Sequence, residues 1–218
     1  MTQLLPRLSV ALFGALLTWP TWAVDVVFQP LATKIEAAAE KVTAQPITWI
    51  INTGGQDHRW LADGCFSAQG VDAIAHANAQ ADMTARLAEP MQGLKVLKER
   101  LDGTVPTLPS RLITGPDNRR ELGQTVFELK YRGGGHTPGD MLVWLPQKNV
   151  LFSGDVVYVD RAQGLLEPSN SKAWLATFAV IDALQPKIRL PGHGSVTDMA
   201  TARAETRDLL LALRARII

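Results

Sequence analysis

The stretch that decides how this chain is interpreted is Gly133-Gly134-Gly135-His136-Thr137-Pro138-Gly139-Asp140. Two later stretches, Ser153-Gly154-Asp155 and Pro191-Gly192-His193-Gly194, share its design. In each of them a β-rich apolar run leads to a glycine-rich turn that offers one side chain able to bind a metal. Glycine permits the sharp turns that aim such side chains inward. We therefore predict that the two histidines and Asp155 converge on one metal site.

The donor atoms of these side chains suit a catalytic metal. Imidazole nitrogen and carboxylate oxygen are good ligands for zinc, and two histidines with one carboxylate also suit Fe(II). Three protein ligands leave a position open for water, and a metal-bound water loses its proton near neutral pH and attacks a carbonyl or similar electrophile. The sequence thus favours metal-assisted hydrolysis with zinc, and it leaves Fe(II) open.

Apolar periodicity predicts alternating strands and helices of an α/β domain. Ile47–Ile51 is apolar on both faces, so it is predicted to be a buried strand that delivers the loop 52–59 at its carboxyl end. The other predicted strands are Val24–Phe28, Val71–Ala75, Val126–Tyr131, Met141–Leu145, Val150–Phe152 and Lys187–Leu190. The predicted helices are Pro30–Ala44, Ala77–Leu101 with a kink at Pro90, Ser171–Leu184 and Thr197–Ile217.

Composition limits the class of protein. The chain has 218 residues, of which 46% are hydrophobic and 20% charged, which is typical of a single globular domain. Its formal net charge is +1, and the basic and acidic residues are mixed along the chain. Because no basic stripe is present to bind phosphates, nucleic acid is not expected as a partner. The expected partner is a small-molecule substrate.

The first residues have the pattern of an export signal. Arg7 precedes the apolar run Leu8–Trp19, and Thr21-Trp22-Ala23 supplies small residues at a cleavage point. The run is shorter than the roughly 20 residues that span a bilayer, so no stable membrane span is expected after cleavage. We predict a signal peptide at 1–23, a domain at 24–218, and a periplasmic or secreted protein. The single Cys65 is expected to pack as a small apolar residue.

The ordered set of motifs resembles the metallo-β-lactamase-like hydrolase superfamily and, more loosely, the exported quinoprotein relay system zinc metallohydrolases. This resemblance implies a four-layer αβ/βα sandwich of two mixed sheets with helices outside. It also implies that His136 is a first-metal ligand, Asp155 the carboxylate near both metals, and His193 a second-metal ligand. Family members begin with additional strands before the pair that Val24-Asp25 resembles, so part of one sheet is expected to be missing.

The family's His-x-His-x-Asp-His motif is degenerate in this chain. Aligned without gaps, its two leading histidines become Gly54 and Gln56, its aspartate becomes His58, and its last histidine becomes Arg59. A one-residue slip instead places Asp57 and His58 on the family's Asp-His pair. We favour the slip, because it keeps a four-ligand second site.

The slip predicts one metal ion held by Asp57, His58, Asp155 and His193, with His136 completing the shell or binding substrate. Asp57 is also assigned the catalytic role. The predicted function is exported, zinc-dependent hydrolysis of an ester, thioester or lactam-like substrate. Two alternatives remain: a non-catalytic binding protein that keeps this fold, and a mononuclear iron oxygenase of the persulfide dioxygenase type.

Several other side chains receive structural roles. Asp140 is expected to hold the loop that follows His136, and His76 to hydrogen-bond to backbone at the end of a strand. Arg59 and Arg161 could attract an anionic substrate, although single arginines are usually solvated at the surface. The four tryptophans Trp49, Trp60, Trp144 and Trp174 are expected in the core or in a pocket wall.

Overall fold

The computed structural model describes the backbone of residues 21–24, 29–87 and 101–217 and the side chains of 32–87 and 101–216. The strands are β1 (Thr21–Val24), β2 (Ile47–Ile51), β3 (Asp72–His76), β4 (Arg111–Ile113), β5 (Asp117–Leu122), β6 (Thr125–Tyr131), β7 (Met141–Leu145), β8 (Val150–Tyr158) and β9 (Ile188–His193). The helices are α1 (Gln29–Glu40), α2 (Asp63–Ser67), α3 (Ala77–Ala85), α4 (Ser171–Leu184), α5 (Met199–Ala202) and α6 (Leu209–Ile217).

Two sheets form the centre of the molecule. The first has the strand order β1-β2-β3-β4, and each neighbouring pair is parallel. The second has the order β5-β6-β7-β8-β9, in which only the pair β8–β9 is parallel. The second sheet is mixed, as expected, whereas the described part of the first is wholly parallel. Helical crossovers explain the difference, because parallel neighbours need long connections such as α1 between β1 and β2.

Side-chain alternation along the strands produces four layers. In β2, Ile50 packs with Ala32 and Ile35 of α1, whereas the next residue, Ile51, faces the second sheet. In β7 the odd-numbered residues face the first sheet, and Leu142 and Trp144 pack under α4. Since alternate residues of a strand point to opposite faces, each sheet has one helix-covered face and one face in the central core. The predicted αβ/βα sandwich is confirmed.

Most predicted elements are present with small changes at their ends. β2 lies where it was predicted, with Ile50 and Ile51 fully buried. α4 also has the predicted bounds, and the side chain of Asn170 caps it. The long helix predicted over Ala77–Leu101 is wrong in its length, because α3 ends at Ala85 and Arg86 leaves the helical conformation. Residues 88–100 lie outside the described part. The predicted strand Val24–Phe28 likewise falls mostly on residues outside it, as does most of the predicted signal peptide, whose last three residues form β1 together with Val24.

β8 differs from the prediction in a way that matters for the site. It was expected to end in a turn at Ser153-Gly154-Asp155, but it continues to Tyr158. Gly154 has a φ of 49°, and the pairing with β9 shifts on both sides of it. A Cβ at this position would lie 2.0 Å from Thr53 Oγ1. The glycine therefore lets β8 bend and pass directly against the loop after β2, which brings the two sheets together beside Asp155.

The carboxyl-terminal helical segment fixes the far end of β8. Between α5 and α6 the chain forms a π-helical stretch, Arg203–Asp208, which contains the buried Thr206. The Thr206 hydroxyl accepts a hydrogen bond from Tyr158 N (3.0 Å) and donates one to Tyr158 O (2.8 Å). Tyr158 is thus held at both backbone groups. None of the helices in the described residues combines the length and the apolar character needed to cross a membrane.

Candidate metal centre

Three side chains with donor atoms meet where the two sheets converge. His58 lies in a 3₁₀ turn after β2, Asp155 lies within β8, and His193 ends β9. Among the described residues these three form a group whose candidate ligand atoms all lie within 4.8 Å of one another. His58 Nε2 is 3.2 Å from Asp155 Oδ2, and His193 Nε2 is 3.5 Å from Asp155 Oδ1. One carboxylate therefore stands between two imidazoles.

The carboxylate is the buried centre of this group. The side chain of Asp155 is 1% exposed, and those of His58 and His193 are 24% and 25% exposed. Burial alone would raise the pKa of Asp155, but the charges of Arg59 and His58 hold that pKa well below its usual range. Burial would lower the pKa of His58, but the negative charge of Asp155 outweighs it and raises the pKa to about 9. The site is built around a permanent negative charge with a partly open side.

Arg59 is the partner that compensates this charge. Its side chain is 1% exposed, so the expectation of a solvated or substrate-steering arginine is wrong. Nη1 is 3.0 Å from Asp140 Oδ1, and Nη2 is 2.7 Å from Asp155 Oδ2. A buried carboxylate is tolerated only when it is paired, and here one guanidinium pairs with two. This physical need explains why the arginine points into the protein.

Asp140 holds the loop around His136, as predicted. One carboxylate oxygen accepts a hydrogen bond from Thr137 N (2.8 Å), and the other contacts the Thr137 hydroxyl and Arg59. His76 also has its predicted role, because its Nδ1 accepts a hydrogen bond from Asn78 N at 3.2 Å and caps α3. Trp60, Trp144 and Trp174 are buried and Trp49 is half-buried. Cys65 is half-buried and packs against the cluster under α1.

His136 lies beside the group of three. Its Nδ1 is 2.7 Å from Gly164 O, and because a carbonyl oxygen can only accept, Nδ1 carries the proton. Nε2 then carries a lone pair. This nitrogen lies 3.5 Å from the Tyr158 hydroxyl and 3.5 Å from Asp155 Oδ2. Burial lowers the pKa of His136, which agrees with a neutral ring. The ring stands edge-on to Trp174 at 5.5 Å between ring centroids.

Gly54 and Gln56 stand at the two positions where the resemblance places the family's leading histidines. A Cβ at Gly54 would lie 2.0 Å from Arg59 Nη1 and 2.4 Å from Asp140 Oδ1, so the arginine pair occupies the space of a side chain there. The side-chain amide of Gln56 contacts His136 Nε2. The amide atom nearest that nitrogen is Oε1. Because the two ends of an amide exchange by a half-turn of the group, the contact becomes a hydrogen bond to the unprotonated Nε2 when the NH2 group faces it. Glycine and glutamine thus give a hydrogen-bonded arrangement in place of two imidazoles.

Asp57 stands outside the group of clustered ligand atoms. Its Oδ1 accepts a hydrogen bond from the backbone N–H of His58 at 2.7 Å and lies 3.5 Å from His58 Nδ1. Of the five predicted ligands, the structure therefore groups His58, Asp155 and His193, places His136 next to Asp155, and places Asp57 behind His58. The ligand role and the catalytic role of Asp57 stay predictions.

The donor set fits a metal ion such as zinc. It combines two imidazoles with one carboxylate, which is a common composition of zinc sites with an open position. Both oxygens of Asp155 are buried and meet their neighbours as ion pairs, without well-aligned hydrogen bonds. An ionised carboxylate that faces two imidazole nitrogens can complete the ligand set of a cation.

Comparisons with known proteins agree with this fold. A family model for the metallo-beta-lactamase superfamily matches residues 20–193. Metallo-beta-lactamase type 2 of Bacteroides fragilis is 37% identical over 72 residues, which are 31% of this chain and 29% of that protein. Metallo-beta-lactamase type 2 of Bacillus sp. (strain 170) is 31% identical over 139 residues, 56% of this chain and 54% of that protein. The chain thus spans about half or less of the length of these curated relatives.

Solved structures show the same fold over nearly the whole chain. The DIM-1 metallo-beta-lactamase superposes with a TM-score of 0.71 at 18% identity, covering 94% of this chain and 84% of that one. A metallo-beta-lactamase from Pontibacter korlensis gives a TM-score of 0.68 at 18% identity and covers 93% of each chain. Because the family model covers most of the sequence, the chain belongs to the metallo-beta-lactamase superfamily. At the level of the family, this membership supports a metal-dependent hydrolase.

Sequence reasoning missed three contributors to the site. Gln56 and Tyr158 contact His136, and Arg59 joins Asp140 to Asp155. The sequence did contain a signal for a buried arginine. Asp140 and Asp155 both follow glycines beside buried strands, and buried carboxylates need a nearby cation. The positions of Gln56 and Tyr158 depend on how the two sheets meet, which no local pattern encodes.

Replacing Arg59 with Met tests the buried charge network. The change leaves Asp140 and Asp155 without their cation, so we expect the free energy of unfolding to fall by about 3–5 kcal/mol. Urea denaturation followed by circular dichroism measures this loss. As a matched control, Arg207→Met removes a half-exposed arginine that pairs with Asp182 and Asp208, and should cost about 1 kcal/mol or less. Equal losses in the two variants would contradict the proposed network.

Proposed function

We propose that this chain is an exported hydrolase that binds one zinc ion through His58, Asp155 and His193. Its substrates would be small molecules with an ester, thioester or lactam-like bond. The observation that carries the proposal is the group of two imidazoles around one buried, ionised carboxylate, in a chain that belongs to the metallo-beta-lactamase superfamily. Export is supported by the apolar run Leu8–Trp19 that follows Arg7.

A single metal site is supported by what surrounds Gly54 and Gln56. Two of the first-metal histidines implied by the family resemblance are absent, and the Arg59–Asp140 pair leaves no room for a side chain at Gly54. Of the predicted first-metal ligands only His136 is present, and it already contacts Gln56 and Gly164. The clustering of His58 without Asp57 supports the gap-free alignment over the one-residue slip.

The chain's own groups would prepare the reaction in distinct ways. A metal ion bound here would supply an activated water and polarise the scissile carbonyl. Asp155, kept ionised by Arg59, would bind the ion together with the Nε2 atoms of the two histidines that face it. His136 presents a lone pair at Nε2 and can accept a proton, and the Tyr158 hydroxyl beside it can donate a hydrogen bond to an oxygen that gains negative charge.

A second candidate is a binding protein without catalysis. It is favoured by the contact of Gln56 with His136 Nε2, because that contact engages the lone pair that catalysis would need. An iron oxygenase is a third candidate, since two histidines and a carboxylate also suit Fe(II). Metal identity and hydrolysis, measured together, separate the three candidates.

Metal content and hydrolysis should disappear together when the clustered ligands are removed. We expect about one zinc per chain after loading and dialysis, and loss of both zinc and activity in Asp155→Ala and His193→Ala. Elemental analysis measures the zinc, and a panel of chromogenic esters, thioesters and lactams measures the activity. His76→Asn is the matched control, because His76 lies outside the group and asparagine can also cap α3.

Each result of that experiment has a defined meaning. Zinc that binds without any hydrolysis across the panel would favour the binding protein, and iron in the protein as purified would favour oxygen chemistry. Two zinc ions per chain, or one that survives His193→Ala, would contradict the proposed site.

Arg161 is expected to select anionic substrates. It is exposed at the open side of the site, its Nη1 lies 3.4 Å from His193 Nδ1, and its guanidinium lies 6.0 Å from the Tyr158 ring centroid. When His193 binds a cation through Nε2, its Nδ1 carries a proton and no longer accepts from Arg161. The guanidinium is then available to a substrate carboxylate.

Replacing Arg161 with Ala should therefore raise KM for a substrate that carries a carboxylate about five- to tenfold, which corresponds to about 1–1.4 kcal/mol. Little change is expected for its neutral methylamide, and kcat should stay nearly constant, because the lost contact is the same in the ground state and the transition state. Arg161→Lys keeps the charge and serves as the control. An equal effect on both substrates would rule out this role.

A further inference from the structure

The imidazole of His58 lies between two carboxylates. Its Nε2 faces Asp155 at 3.2 Å within the group of clustered ligand atoms, and its Nδ1 faces Asp57 Oδ1 at 3.5 Å. The two contacts are on different nitrogens of one ring, so they have different consequences. The nitrogen toward Asp155 is the one available to a metal, and the other can only serve the ring's orientation.

A histidine that binds a metal through one nitrogen carries a proton on the other. That N–H usually donates to a carboxylate or a carbonyl, which fixes the tautomer and the orientation of the ring and makes the ligating nitrogen more basic. In His58 the proton would be on Nδ1, and Asp57 is the carboxylate at that nitrogen. The Asp57 carboxylate, the His58 imidazole and the candidate metal position thus follow one another in space.

Asp57 is itself held in place for this task. It begins the 3₁₀ turn Asp57–Arg59, and its Oδ1 accepts the backbone N–H of His58 at 2.7 Å. The same turn places Arg59 inside the protein, where it pairs with Asp155. Three consecutive residues of one turn therefore have linked roles. Asp57 contacts Nδ1 of the His58 ring, the Nε2 of that ring faces Asp155, and Arg59 neutralises Asp155.

We infer that Asp57 is a positioning residue that accepts a hydrogen bond from Nδ1–H of His58 and thereby directs Nε2 toward the metal, and that it is not itself a ligand. The inference rests on the proposed function, because it requires a metal at the group formed by His58, Asp155 and His193. It differs from the one-residue slip, in which the Asp57 carboxylate would bind the ion directly.

The first test is zinc affinity. Competition with a chromophoric chelator should show zinc binding about 10- to 100-fold weaker in Asp57→Ala than in the wild type. Asp57→Asn should keep most of the wild-type zinc affinity, because the amide oxygen of asparagine can still accept a hydrogen bond from Nδ1–H of His58. Asp72→Ala is the matched control, since it removes a carboxylate that pairs with Arg111 at the opposite end of the first sheet. Circular dichroism checks that all variants are folded.

The second test separates orientation from ligation. The Co(II)-loaded wild type and the Asp57→Asn and Asp57→Ala variants should show the same ligand-field bands, because the ligands are unchanged. Nitrogen-detected NMR of the zinc-loaded wild type should show a ligated Nε2 and a protonated Nδ1 in His58, with the Nδ1–H proton shifted downfield by its hydrogen bond to Asp57. In Asp57→Ala the same nitrogen should keep its proton but lose that downfield shift.

The outcomes distinguish the two levels of the proposal. A wild-type chain that binds no zinc would overturn the proposed function itself. Normal zinc binding by the wild type with unchanged affinity in Asp57→Ala would overturn only the positioning role. A change of the Co(II) bands in both Asp57 variants would show that Asp57 is a direct ligand, which also overturns it.

Discussion

The site depends on the burial of two carboxylates beside one guanidinium. Asp140 and Asp155 are both almost fully buried, and Arg59 contacts each of them. A buried carboxylate without a partner would be neutralised or would destabilise the fold, so the position of Arg59 is fixed by the whole set. Because Arg59 ends the turn that carries His58, fixing the arginine also fixes the imidazole that faces Asp155.

The two sheets supply the rest of the geometry. Asp155 comes from β8 and His193 from the end of the adjacent β9, whereas His58 follows β2 in the other sheet. The bend at Gly154 lets β8 approach Thr53 closely enough for these groups to meet. The fold therefore places one candidate ligand from the first sheet against two from the second.

Local sequence patterns predicted the parts of this arrangement that are local. Glycine turns at the ends of apolar runs marked His136 and His193, and the resemblance to the metallo-β-lactamase-like superfamily gave the four-layer fold. The register of the turn Asp57–Arg59 could not be predicted in the same way, because a one-residue shift exchanges Asp57, His58 and Arg59 with little change in local pattern. Long-range ion pairing decides between the two registers of the turn, since only an inward Arg59 compensates the negative charges of Asp140 and Asp155.

The central claim is a single metal position defined by His58, Asp155 and His193, and anomalous diffraction at the zinc edge tests it most directly. Crystals of the zinc-loaded chain should show one anomalous peak, in contact with His58 Nε2, His193 Nε2 and the Asp155 carboxylate. A second peak between His136 and Gln56, or a peak in contact with the Asp57 carboxylate, would contradict the account.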